Sequence, residues 1–153
     1  MGLDMYLTAA KTIYNYTHNS AKERKQFART VKAAALEPLI SPESLWLDVR
    51  LRVAYWRKSN QIHNWFVQNV QGGIDECQSS YVSREDLQTL VDLCKEVLEQ
   101  PDKAAELLPV ESGFFFGATD YGEWYFDDLR DTIAQLEPLL QVEGVAFYYQ
   151  ASW

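Results

Sequence analysis

Leu45-Trp46-Leu47-Asp48-Val49-Arg50-Leu51-Arg52-Val53-Ala54-Tyr55 alternates without a break. Leu45, Leu47, Val49, Leu51, Val53 and Tyr55 fall on one side of an extended chain, and Trp46, Asp48, Arg50, Arg52 and Ala54 on the other. A helix would scatter the six apolar side chains around its circumference, whereas a period of two keeps them together. The stretch therefore predicts a strand over 45–55. Two further alternations frame it. Leu3, Met5, Leu7 and Ala9 share one side of residues 2–9, and Val145, Phe147 and Tyr149 share one side of 144–151. Pairing the long middle strand with a terminal one is the simplest arrangement, and it predicts an α+β fold: a small antiparallel sheet packed with about four helices.

The helices announce themselves by their starts and stops. Ser20 with Glu23 forms a capping box before a stripe of Phe27, Val31, Ala34 and Ala35, running to about Leu36 and ended by Pro38. Its outer face is basic, with Lys22, Arg24, Lys25, Arg29 and Lys32. From about Trp56 the period lengthens, and Ile62, Phe66 and Val70 make a helical stripe that stops near Gly72-Gly73. Residues 74–82 read as a polar connection. Ser83 with Asp86 opens a strongly amphipathic helix through Leu87, Leu90, Val91, Cys94, Val97 and Leu98, closed before Pro101. Residues 102–108 suit a short helix, and Phe114-Phe115-Phe116-Gly117 suits a strand or a buried turn. Asp120 with Glu123 is expected to open the last helix, with Trp124, Leu129, Ile133 and Leu136 inward and Pro138 at its end. No internal repeat or linker interrupts the chain, so one domain over 1–153 is expected.

Composition narrows the function classes. The chain carries 14 Lys/Arg and 22 Asp/Glu, a net charge of −8. Residues 1–60 hold ten basic and five acidic side chains, and residues 61–153 four basic and seventeen acidic, so the balance runs from +5 to −13. This disfavours nucleic acid as a partner of the chain as a whole, although the basic helix at 22–32 taken alone would suit one. No apolar run approaches the roughly 20 residues that span a bilayer, and residues 1–5 lack the pattern of a secretory leader. With only Cys77 and Cys94 there is no disulfide framework, and a cytoplasmic protein with reduced thiols is expected. Two isolated histidines, His18 and His63, give no metal-ligand spacing, so neither metal nor cofactor is expected. No phosphate-binding glycine loop or nucleophile elbow occurs. The chain reads as a binding protein rather than an enzyme.

Two groups of residues are candidate sites. Arg57, Asn60 and His63 are spaced by three beside Trp56 and Trp65. Such a row could hold an anion through Arg57, an amide or base edge through Asn60, and a proton through His63, with Phe116 and Gly117 in the neighbouring wall. The simpler reading is a hydrogen-bonded pair, Asn60 and His63, at the edge of the core. The second group is Asp120, Tyr121, Glu123, Trp124, Tyr125, Asp127 and Asp128. Interleaved aromatic and acidic side chains supply contact area and electrostatic steering for a basic partner. Acids near the positive end of a helix are the plainer account of the same residues.

Four stretches carry a resemblance: Met1-Gly2-Leu3-Asp4-Met5-Tyr6-Leu7, Tyr55-Trp56-Arg57-Lys58-x-Asn60-x-Ile62-His63-x-Trp65-Phe66-Val67, Ser112-Gly113-Phe114-Phe115-Phe116-Gly117 and Phe147-Tyr148-Tyr149-Gln150-Ala151-Ser152-Trp153. Together they are similar to a family of small proteins from bacteriophages, prophages and bacteria with no assigned activity. The resemblance carries over no catalytic residue. It implies a setting in the host cytoplasm, in which small accessory proteins engage or block host proteins, defence systems among them. The expected partner is a host protein with a basic surface; a small ligand or nucleotide held around Arg57, Asn60 and His63 is the alternative.

Overall fold

The ends of the chain meet in one sheet. In the computed structural model, which describes Gly2–Trp153, strands β1 (Asp4–Tyr14), β2 (Trp46–Arg57), β3 (Ser80–Val82) and β4 (Ala146–Ser152) form a four-stranded antiparallel sheet in the order β2-β1-β4-β3. Among the described residues five α-helices accompany it: α1 (Ala21–Ala33), α2 (Asn60–Asn69), α3 (Arg84–Glu99), α4 (Ala104–Leu107) and α5 (Glu123–Leu136). The α+β expectation holds. β3 is the strand that sequence reading placed in a polar connection; its residues pair as Ser80 with Tyr149, Tyr81 with Tyr148 and Val82 with Phe147.

The chain divides into two compact units. The first comprises the chain up to Ala9 and from Arg52 on. One sheet face there buries Leu3, Met5, Leu7, Val82, Phe147 and Tyr149 against Ile62, Phe66, Leu87, Leu90, Leu129 and Leu136 of the helices. Each such side chain withdraws enough apolar surface to contribute about 1.5–3 kcal/mol. Among the most buried polar contacts, Trp56 Nε1–H donates to Thr132 Oγ1 at 2.9 Å. On the other face Tyr6 lies 5.5 Å from Tyr55, and the Arg52 guanidinium sits 3.9 Å above the Tyr6 ring.

The second unit is Ala10–Leu51. Ile13, Phe27 and Val31 form its core, with Leu47 packed against them. The capping box of α1 is present as expected, Glu23 N–H donating to Ser20 Oγ at 3.2 Å and Ser20 N–H to Glu23 Oε2 at 2.8 Å.

β2 departs from its sequence pattern. Asn15 N–H donates to the Leu45 carbonyl, and Lys58 N–H to the Leu3 carbonyl. Leu47 packs on the core of the second unit, whereas within the first unit Ala54 and Trp56 are buried and Tyr55 is exposed. The unbroken alternation at 45–55 does not share one buried face.

Candidate functional site

A cavity of about 260 Å³ opens in the first unit, lined at the β2–α2 junction by Arg57, Lys58, Asn60 and Gln61, and beyond it by Val110 and residues of the segment 117–128. The junction is tight. Lys58 has φ +60°, a left-handed conformation that costs a non-glycine residue free energy and is characteristic of functional or over-determined backbone. Gly117, φ +94°, passes so close that a Cβ there would lie 3.0 Å from Lys58 Cβ and 3.3 Å from its carbonyl oxygen. Both the backbone angle and the space require glycine.

The first turns of α2 and α5 both line this cavity, and neither helix has a side-chain cap. α1 and α3 have complete capping boxes by contrast. The expected opening of α5 by Asp120 is thus corrected: Gly122 occupies the cap position and the helix begins at Glu123. Trp124 does not face inward; it is 82% exposed at the cavity, one position ahead of the buried stripe of Tyr125, Leu129, Thr132 and Leu136, and Tyr125 donates its O–H to the Leu108 carbonyl at 2.8 Å.

Asp128 is the half-buried acid of the cavity. Gln61 Nε2 donates to its Oδ2 at 3.0 Å. Burial pushes its carboxyl above the ordinary range, against the hydrogen bonds from Gln61 and Ser59, which hold it down. Among the described residues no ion pair joins Arg57 or Lys58 to Asp120 or Asp128. Two cations and two carboxylates therefore line one small cavity without neutralising each other.

The row of Arg57, Asn60 and His63 does not converge. Arg57 is the last residue of β2 and lies exposed at the cavity. Asn60, 2% exposed, is committed to the neighbouring segment: its Nδ2 donates to the carbonyls of Phe116 at 3.1 Å and Ala118 at 2.8 Å, and its Oδ1 accepts from Glu111 N–H at 2.9 Å. His63 lies elsewhere, 1% exposed, and does not bond Asn60. Its Nε2–H donates to Asp75 Oδ2 at 3.0 Å and its Nδ1 accepts from the Tyr149 hydroxyl at 2.7 Å. Burial holds the Tyr149 hydroxyl far above its ordinary range, so it stays a neutral donor. An acid, a histidine and a hydroxyl in series can activate a nucleophile, but Tyr149 is 0% exposed and no substrate atom can reach it. Asp75 and Tyr149 had no local signal in the sequence; they reach His63 across 12 and 86 residues.

The aromatic and acidic group divides along the same lines. Asp120, Tyr121, Glu123 and Trp124 are exposed, and Asp127 is partly exposed and bridged by Arg130 at 2.6 Å. Phe114, 95% exposed, lies nearby in sequence on a turn, and Phe116 packs edge-on against the His63 ring with centroids 5.1 Å apart. Among the described residues no cluster of three or more metal-ligating side chains occurs, and no helix is long and apolar enough to cross a membrane. No family model, curated protein or solved structure matches the chain.

Proposed function

We propose that the chain is an acidic accessory binding protein of bacteriophage type that engages, and in doing so obstructs, a host protein bearing a basic surface. One observation carries this reading: Phe114 and Trp124, 95% and 82% exposed, stand on a segment that also presents Asp120 and Glu123. Large aromatics left in water beside unpaired carboxylates suit a contact surface whose centre desolvates on binding while its acids steer the partner. The test is capture from bacterial lysate by tagged protein, at low and high salt. A partner held at low salt and released at high salt, lost with Phe114→Ala or Trp124→Ala and kept with Tyr81→Ala, fits the proposal. Capture indifferent to all three substitutions, or no capture at either salt, overturns it. Tyr81 is the control because it is 61% exposed and lies on β3, outside the segment.

A second reading, small-ligand binding in the cavity, is favoured by the left-handed backbone of Lys58 beside Gly117 and by the charges of Arg57, Lys58, Asp120 and Asp128, which form no ion pair with one another. Histidine has no part in it, and Asn60 shapes the wall rather than the ligand contact.

A further inference from the structure

We infer that the cavity binds a small zwitterion of the free amino-acid class, its carboxylate towards Arg57 and Lys58 and its ammonium towards Asp120 and Asp128. The inference rests on the second reading above; it shares Asp120 and Trp124 with the exposed surface but does not need Phe114.

The charge pattern selects the ligand. A simple anion would meet Arg57 and Lys58 but also two carboxylates, and a simple cation would meet Asp120 and Asp128 but also two basic groups. Each wrong ligand carries its own repulsion, and repulsion is half of specificity. A neutral apolar molecule would engage none of the four charges. A molecule bearing both signs, with no net charge, engages all four. Asp128 is held in place by Gln61, a neutral donor, at 3.0 Å, so its orientation is fixed while its charge stays uncompensated. Size agrees: 260 Å³ lies below the ~300–1,000 Å³ of drug-sized sites. Val110, Trp124 and Tyr125 supply apolar wall for a side chain.

The experiment is calorimetric titration of the intact protein with each standard free amino acid at millimolar concentration. At least one is expected to bind, and its N-acetyl and carboxamide derivatives are each expected to bind tenfold or more weakly. Arg57→Gln should weaken the free amino acid tenfold or more and remove the preference for free acid over carboxamide. Asp128→Asn should do the same for the preference of free amine over N-acetyl, with circular dichroism confirming that both variants fold. If no amino acid binds, if the derivatives bind as well as the parent, or if both variants keep both preferences, the inference is wrong. Capture of a protein through Phe114 and Trp124 is read separately, so either result can fail without the other.

Discussion

Replacing Asn60 with alanine removes a side chain that hydrogen-bonds the α2 start to the segment 111–118. It makes three hydrogen bonds, two donated by Nδ2 and one accepted by Oδ1. At a net contribution of about 0.5–1.5 kcal/mol each, their combined loss is bounded by about 1.5–4.5 kcal/mol. The backbone at Glu111 and Ala118 is exposed and can turn to water, whereas Phe116 is half-buried. The loss should therefore settle near 2 kcal/mol, which in a chain of this length lowers Tm by about 4–8 °C. Thermal unfolding followed by circular dichroism measures it. Amide exchange supplies the local readout, since the Glu111 N–H loses its acceptor and should exchange faster while amides in α3 keep their protection. Asn60→Asp presents a carboxylate to the Phe116 and Ala118 carbonyls and should be worse than alanine. A fall of less than about 1 °C, with Glu111 exchange unchanged, would refute the assignment of Asn60 to structure.

His63→Ala strands the Tyr149 hydroxyl in the core and opens a void beside Phe116; about 3 kcal/mol should be lost in urea unfolding. Thr132→Val leaves Trp56 Nε1–H without its acceptor and should cost about 1–3 kcal/mol by the same assay. Burial pushes the Cys94 thiol up to about 12. The native state then keeps a proton that the unfolded chain releases above about pH 8.5. Its contribution is complete below that pH and is lost as pH rises towards 12, by about 2 kcal/mol between pH 8.5 and 10, a decline that urea midpoints should show and that Cys94→Ala should flatten. In native protein a thiol reagent should label the partly exposed Cys77 and leave the buried Cys94 until denaturant is added.

What the sequence disclosed was what local chemistry decides. Ser20 with Glu23 and Ser83 with Asp86 cap α1 and α3 as their spacing required, because a capping box closes within four residues. β3 escaped notice because three residues cannot show a period, and its pairing with β4 spans the helices between. The burial of Ala54 and Trp56 in place of Val53 and Tyr55 was not legible because the alternation of residue types runs unbroken through 45–55. At the site, Arg57, Lys58, Asp120 and Asp128 come together only through tertiary structure, whereas spacing by three placed Asn60 and His63 on one row. A row on a helix presumes that the helix has begun, and Arg57 still belongs to the strand. Trp124 sits five residues before Leu129, about 140° around the helix from it, so the buried stripe runs instead through Tyr125, Leu129, Thr132 and Leu136.

Site-specific photocrosslinking tests the claim that 113–128 is a contact surface more directly than any substitution. A photoreactive phenylalanine analogue placed at Trp124, and separately at Tyr81, is irradiated in bacterial cells. A discrete protein adduct at 124 that fades when Asp120 and Glu123 are neutralised, with none at 81, is the expected result. Equal adducts at both positions, or none at 124, would contradict it.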